Sequence, residues 1–158
     1  MEYIRRAITD AILEASQYYS VLTITGPRQV GKTTLCRNLF ADYEYINLEH
    51  VATRNVIEQD VEAFFRTHSN KMIIDEVHHL PELLSYIQVL VDEGTSRKFV
   101  LTGSSNFSLL QQISQSLAGR TALFTLMPFS LLELSAESKQ DTNELLFKGL
   151  YPTIFSKK

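Results

Sequence analysis

The sequence predicts an α/β fold in which a parallel β-sheet is covered by helices on both faces. Short apolar segments alternate with segments whose apolar residues recur every three or four positions, as in parallel-sheet proteins. A glycine-bearing turn at residues 26–33 lies between the first predicted strand and the next helix. At 158 residues the chain is long enough for one hydrophobic core and hardly long enough for two.

The first half of the chain contains three predicted helices and two predicted strands. Apolar residues at helical spacing predict an amphipathic helix over 4–16. The apolar run at 21–25 reads as a buried strand, followed by a helix over 32–41. A second strand is predicted over 43–48, and Ile57 to Phe65 predict a further amphipathic helix.

The second half repeats the alternation and ends in a polar tail. A short strand at 72–74 precedes the cleanest helical pattern of the sequence, over 80–91. A strand at 99–101, a helix over 109–117 and a fifth strand at 121–126 follow.

Beyond the fifth strand the sequence changes character. Residues 135–143 are polar and predict a loop, and 144–151 predict a short helix. We therefore divide the chain into a domain at 1–135 and a tail, or the start of another domain, at 136–158.

Composition excludes some functions. The formal net charge is −3, which argues against a tight nucleic-acid binder, although a local patch or another domain could still contact DNA. The one cysteine, Cys36, excludes an intrachain disulfide and a cysteine zinc site. No apolar run approaches the roughly 20 residues of a membrane span. We expect a cytoplasmic protein without membrane contact.

The turn at 26–33 matches the pattern G-x-x-x-x-G-K-[ST] of loops that bind nucleotide phosphates. Its glycines, Gly26 and Gly31, allow backbone amides to approach a phosphate closely, and the helix that follows adds the positive end of its dipole. Lys32 is expected to reach the β- and γ-phosphates of ATP, and the Thr33 hydroxyl to bind Mg²⁺. The remaining residues of the predicted binding loop carry little information individually: Pro27, Arg28, Gln29 and Val30.

Thr34 directly follows the loop motif. It either supports the phosphate contacts or is only a residue of the first helical turn.

Two adjacent carboxylates end the third predicted strand. In a sheet of this kind, Asp75 would face Mg²⁺ directly or through water. Glu76 would act as general base toward the attacking water, a role that hydrolases need and phosphate-transferring kinases do not. His78 and His79 follow, and a loop or helix-start role is predicted for them because no further metal ligand is clustered nearby.

The fourth strand ends in a polar segment in which Ser104 or Ser105 would sense the γ-phosphate. The alternative is a helix N-cap, for which Ser105 or Asn106 is suitable. Arg120 lies between a predicted helix and the fifth strand. It could stabilise charge on a transferring phosphoryl group, in its own subunit or a neighbour, or be a cation at a helix C-terminus.

Four ordered segments resemble a known family: GPRQVGKTTL, MIIDEVHHLPELLSYIQVLVDE, FVLTGSSNFSLLQQISQSLAGR and LMPFSLLEL. Together they look like the AAA-type domain of a widespread group of prokaryotic ATPases, related to archaeal ATPases and origin-recognition-like P-loop proteins. The resemblance covers residues 3–135.

This resemblance implies a three-layer P-loop NTPase fold with strand order 5-1-4-3-2. It also implies a Walker A loop at 26–33, a Walker B pair at Asp75 and Glu76, and a sensor between Thr102 and Asn106. It favours Arg120 as an arginine finger. Members usually continue into a C-terminal domain, and their Gly-Gly-Tyr-Pro stretch corresponds here to residues 148–152.

These features favour an ATPase module that binds ATP with Mg²⁺ and drives a conformational change in a C-terminal domain or protein partner. A nucleotide-dependent switch with negligible turnover is the second hypothesis. A small-molecule kinase is less favoured, because the second half offers only Arg97 and Arg120 for an arginine-rich lid. A homo-oligomer is required if Arg120 acts in trans. Tyr3, Ile4 and Arg5 are the residues expected beside the adenine.

Overall fold

The computed structural model describes residues 3–104, 106–135, 143 and 147–156. Its strands are β1 (Val21–Thr25), β2 (Glu44–Asn47), β3 (Lys71–Asp75), β4 (Lys98–Gly103) and β5 (Thr121–Thr125). They pair in parallel into a five-stranded sheet with the order β2-β3-β4-β1-β5. This is the predicted order 5-1-4-3-2, and the predicted α/β fold is confirmed.

The helices fall close to their predicted positions. They are α1 (Thr9–Tyr18), α2 (Lys32–Leu39), α3 (Val51–Gln59), α4 (Val61–Thr67), α5 (Leu83–Asp92), α6 (Phe107–Ser116), α7 (Leu131–Ser135) and α8 (Pro152–Ser156), with a 3₁₀ turn at Val77–His79. Among the described residues no helix is long and apolar enough to span a bilayer.

Two boundaries differ from the prediction. The first helix begins at Thr9, so residues 3–8 lie outside it. The helix predicted around residues 57–65 is two helices, because the Asp60 side chain accepts a hydrogen bond from the Ala63 N–H and starts α4. Of the helix predicted over 144–151, residues 147 and 148 are helical and residues 144–146 lie outside the described part of the chain; a further helix begins at Pro152.

The sheet separates two hydrophobic clusters because successive side chains of a strand point to opposite faces. On one face the buried residues include Met72, Ile74, Phe99 and Leu101, together with apolar residues of α3 to α6. On the other face Leu22, Ile24, Ile73 and Val100 pack with apolar residues of α1 and α2. The result is a three-layer arrangement with α1 and α2 on one side of the sheet.

Strand alternation also decides which polar side chains meet at the carboxyl edge of the sheet. Asp75 lies two residues after Ile73, and Thr102 two residues after Val100, so both side chains face α2. The turn after β1 ends at this edge and leads directly into α2. In open parallel sheets ligands bind at the carboxyl ends of the strands.

Candidate functional site

The turn at 26–33 has the backbone conformation that its glycines suggest. Gly31 has a φ of 93° and Gly26 a φ of 152°, and the non-glycine Gln29 also has a positive φ of 63°. A Cβ at Gly26 would lie 2.1 Å from the carbonyl oxygen of Leu126, the residue after β5. A neighbouring backbone therefore requires glycine at this position, in addition to the phosphate approach expected from the sequence.

Lys32 begins α2 and is buried, with 5% of its surface exposed. Its Nζ donates hydrogen bonds to the carbonyl oxygens of Gly26 and Pro27, at 3.1 and 3.0 Å. The positive charge is thus held against the backbone of the loop, next to the N-terminus of the helix. Of the remaining loop residues, Arg28 and Gln29 are exposed, whereas Val30 is buried in the core cluster beside α1 and α2.

The Asp75 carboxylate is buried and accepts three hydrogen bonds from hydroxyl groups. Its Oδ2 receives the Thr33 hydroxyl at 2.8 Å and the Tyr45 hydroxyl at 2.6 Å. Its Oδ1 receives the Thr102 hydroxyl, and the oxygen of that hydroxyl in turn accepts the Glu76 N–H at 3.1 Å. The carboxylate therefore connects α2, β2, β3 and β4 at one point.

Glu76 follows in left-handed backbone conformation, with a φ of 59°, which is uncommon for a non-glycine residue and is frequent at functional sites. Its Oε2 lies 3.1 Å from Nδ1 of His78, a close approach without hydrogen-bond geometry. Burial lowers the pKa of His78, the neighbouring His79 adds to this, and Glu76 opposes it. Both histidines lie in the 3₁₀ turn, as expected for a loop or helix-start role.

A cavity of about 630 Å³ lies against the loop, and its size is in the range of small-molecule sites. Its lining includes residues 29–34 of the loop and α2, and Glu76. The rest of the lining is formed by Tyr3, Ile4, Arg6, Phe129, Pro152 and Thr153. Arg6, and not the expected Arg5, is thus the arginine of the N-terminal segment that lines the cavity. Arg5 forms an exposed ion pair with Asp10.

Arg6 connects three separate segments around this cavity. Its guanidinium donates to the carbonyl oxygens of Val30 at 3.0 Å and Met127 at 2.6 Å, and lies 4.6 Å from the Phe129 ring centroid. It also forms a buried ion pair with Glu133 at 3.1 Å. The carboxylate of Glu133 further accepts the backbone N–H groups of Ala7 and Ser130, each at 2.7 Å.

The C-terminal segment also contributes to this wall. The carbonyl oxygen of Leu150 accepts the Phe129 N–H at 2.8 Å, and the Phe155 ring contacts the Phe129 ring edge-to-face. Pro152 lies so close to the loop that a Cβ on Gly31 would be 3.8 Å from its Cγ. The segment corresponding to the Gly-Gly-Tyr-Pro stretch therefore packs beside the phosphate loop.

Not all predicted residues meet at this cavity. Arg120 precedes β5 and lies at the amino-terminal ends of the strands, whereas the loop lies at their carboxyl ends. The length of a five-residue strand, roughly 16 Å, separates the two ends. It donates to Asp92 at 2.8 Å and to the carbonyl oxygen of Ala118 at 3.1 Å. The structure therefore does not bring Arg120 to its own loop, and an action in a neighbouring subunit stays a prediction.

The predicted sensor segment, Thr102 to Asn106, begins within the last two residues of β4 and continues beyond the strand. Ser104 accepts a hydrogen bond from Asn106 Nδ2 at 3.2 Å, while Ser105 lies outside the described residues. Asn106 is the N-cap of α6, since its Oδ1 accepts the Leu109 N–H at 2.8 Å. The N-cap alternative thus holds for Asn106, and the sensor role of Ser104 or Ser105 stays a prediction.

Sequence reasoning missed three groups in the site: the Tyr45 hydroxyl, the buried Arg6, and the segment around Pro152. An alternating pattern in β2 could have assigned Tyr45 to the face of α2. For Arg6 we find no local signal, because its partners are far away in the chain.

A family model described as an AAA domain matches residues 18–135. Two curated relatives are the uncharacterized proteins Rv2008c of Mycobacterium tuberculosis and Mb2031c of Mycobacterium bovis. Each is 28% identical over 155 residues, which cover 96% of this chain and 34% of the relative. The chain therefore spans about a third of the length of the curated relatives it matches.

Solved structures show a similar fold. The Walker-type ATPase PABY2304 of Pyrococcus abyssi superposes with a TM-score of 0.60 at 22% identity, over 90% of this chain and 61% of that one. The STAND protein PH0952 of Pyrococcus horikoshii gives a TM-score of 0.53 at 15% identity, over 91% and 27%. The family match spans the phosphate loop and the acidic pair, and the chain therefore belongs to the AAA domain family of P-loop ATPases.

Proposed function

We propose that this domain binds ATP with Mg²⁺ at residues 26–34 and hydrolyses the terminal phosphoanhydride bond. The observation that carries the proposal is the 2.8 Å hydrogen bond between the Thr33 hydroxyl and the Asp75 carboxylate. Mg²⁺ prefers oxygen ligands and is usually held by one or two carboxylates together with substrate phosphates. A hydroxyl and a carboxylate in contact beside a phosphate-binding loop fit this requirement, so Thr33 and Asp75 are the proposed magnesium residues.

The remaining roles follow from charge and location. Loop amides and Lys32 would neutralise phosphate charge, and Glu76, which lines the same cavity, would orient and deprotonate the attacking water. Ser104 or Ser105 would respond to the γ-phosphate. Mg²⁺ held by Thr33 and Asp75 would supply Lewis-acid neutralisation of phosphate charge. The aromatic and aliphatic part of the lining, with Tyr3 and Ile4, would suit the base.

We further propose that hydrolysis drives a conformational change in a partner domain or subunit. The wall beside the loop includes Pro152 and Thr153, so a change at the site would be transmitted to the chain that follows. Arg120 lies at the amino-terminal ends of the strands, away from the loop. The single chain would therefore bind ATP but hydrolyse it slowly. This same observation favours the second candidate, a nucleotide-dependent switch with negligible turnover.

Calorimetric titration with a non-hydrolysable ATP analogue tests the binding site. We expect Mg²⁺-dependent binding that Lys32→Ala weakens by about 10- to 100-fold, because hydrogen bonds to charged groups are strong. Lys71→Ala is the matched control, since Lys71 is exposed and pairs with Asp42 at the start of β3. Equal binding by wild type and Lys32→Ala would contradict the proposed site.

Phosphate release separates the hydrolase from the switch. Glu76→Gln keeps the shape of the side chain but cannot accept the proton of the water, so turnover should fall by about 100-fold or more. Binding of the analogue should stay within about threefold. If wild type binds ATP and releases phosphate no faster than Glu76→Gln, the switch is the correct function.

A further inference from the structure

The Tyr45 hydroxyl reaches the acidic pair from the edge strand of the sheet. Tyr45 of β2 is in register with Ile73 of β3, and Asn47 with Asp75. Because side chains alternate along strands, Tyr45 and Asp75 extend from the same face, toward α2. The hydroxyl donates to Asp75 Oδ2 at 2.6 Å, across 30 residues of sequence.

The ring of Tyr45 is held on two sides. It packs half-buried against the hydrophobic cluster beside α1 and α2. The guanidinium carbon of Arg37 lies 5.0 Å from its ring centroid. A tyrosine hydroxyl can donate one hydrogen bond, and here it donates that bond to the carboxylate.

Tyr45 differs from the other donor to the same oxygen. Thr33 lies in the first turn of the helix after the loop and is itself a proposed magnesium ligand, whereas Tyr45 belongs to the sheet. The last torsion of an aspartate is broad, so a carboxylate without a fixed donor samples many orientations. Thr102 of β4 donates to Oδ1 and Tyr45 of β2 to Oδ2, so donors from the sheet hold both oxygens whether or not the loop is occupied.

We propose that Tyr45 is a positioning residue of the magnesium site, holding the Asp75 carboxylate in the orientation that receives the cation. This inference rests on the proposed function, since it needs Asp75 in the magnesium site. Hydrogen-bond partners of metal ligands commonly change metal affinity by about 10- to 100-fold when they are removed.

The test uses Tyr45→Phe, which removes the hydroxyl and keeps the ring on Arg37 and the core. Tyr43→Phe is the matched control, because Tyr43 is also half-buried and its ring contacts Phe40 and Lys71 without a hydroxyl hydrogen bond to the described residues. Binding of a non-hydrolysable ATP analogue is measured by calorimetry in EDTA and across a series of Mg²⁺ concentrations. Thermal unfolding by circular dichroism confirms that each variant is folded.

Mg²⁺ is expected to increase the affinity for the ATP analogue. For Tyr45→Phe we expect the Mg²⁺ concentration that gives half of this increase to rise about tenfold. Affinity in EDTA should stay within about twofold of wild type, and Tyr43→Phe should match wild type in both measurements. An unchanged Mg²⁺ midpoint in Tyr45→Phe, or an equal loss of affinity with and without Mg²⁺, would overturn the inference and leave the proposed function intact. If the wild-type protein binds the analogue equally well with and without Mg²⁺, both this inference and the proposed function are overturned.

A double-variant comparison adds a second readout. In an Asp75→Asn background the Tyr45 hydroxyl no longer has a carboxylate to orient. Tyr45→Phe should then leave the residual Mg²⁺ response unchanged, whereas a further loss of about tenfold would mean that Tyr45 acts through another group.

Discussion

Asp75 and Glu133 are both buried carboxylates near the turn at 26–33, and different kinds of partner hold them. Asp75 accepts hydroxyl groups of Thr33, Tyr45 and Thr102, and forms no ion pair with a described Lys or Arg residue. Glu133 accepts two backbone N–H groups and forms an ion pair with Arg6.

The negative charge of Glu133 is compensated by Arg6, whereas the negative charge of Asp75 is not compensated by a cation of the described residues. Burying a carboxylate is costly unless a cation or several donors compensate it. Glu133 has its cation within the chain, so its function is to join the segments around Arg6. Asp75 has neutral donors only, which orient its oxygens and leave its charge to attract a cation from solution, as the proposed magnesium site requires.

The largest effect on stability is expected from Arg6→Met. Removing one partner of a buried ion pair leaves the other buried and uncompensated, and Glu133 would lose its cation while Val30 and Met127 lose a donor. We expect the free energy of unfolding to fall by about 3 kcal/mol, measured by urea denaturation.

Arg5→Met is the matched control for that variant. Arg5 is the adjacent arginine, its ion pair with Asp10 is exposed, and its removal should change stability little. If both variants lose similar stability, the Arg6 network does not hold the segments together and the distinction between the two carboxylates fails.

A smaller effect is expected from acid. Burial raises the pKa of Glu133, but the N–H groups of Ser130 and Ala7 and the guanidinium of Arg6 outweigh it, so the pKa lies below its usual value. The unfolded chain then binds more protons, and stability falls as pH drops from about 4.3, the ordinary value, through the lowered pKa of the folded state.

Urea denaturation across this pH range tests that prediction. Glu133→Gln removes the titrating group, so the variant should be less stable at neutral pH and show a shallower decline toward acid. A wild type and a variant with parallel pH profiles would show that Glu133 is not a charged partner of Arg6.

The smallest effect on stability is expected from Tyr45→Phe, which removes one donor to Asp75. In the Tyr45→Phe variant one neutral hydroxyl donor is lost, so the free energy of unfolding should fall by about 1 kcal/mol. A loss as large as that of Arg6→Met would mean that Tyr45 supports the fold rather than the orientation of Asp75.

The loop and the acidic pair could be predicted because their chemistry is contained in short stretches of chain. The residues from Gly26 to Thr33 are consecutive, and the apolar run ending in Asp75 reads directly as a strand end. The strand order followed from the family resemblance. The start of the first helix was predicted wrongly: α1 begins at Thr9 and not at residue 4, and Tyr3, Ile4 and Arg6 of the preceding segment line the cavity.

Arg120 illustrates the limit of position-based reasoning. Its place between a helix and a strand is compatible with a catalytic arginine or with a helix-terminal cation. Within one chain, the direction of β5 decides between these two roles. β5 runs parallel to β1, so Arg120 at its start lies at the opposite end of the strands from the loop that follows β1. There the guanidinium binds Asp92 and a carbonyl oxygen of the turn after α6.

The sequence by itself determined the fold class, and it predicted residues 26–33 and the pair Asp75 and Glu76 as the site, because periodicity and consecutive motifs are local. Only the tertiary structure decided which side chains hold them. Tyr45 meets Asp75 across 30 residues, and Arg6 meets Glu133 across 127. Such contacts depend on strand order, register and the packing of distant segments, and none of these is expressed in the residues on either side of a position.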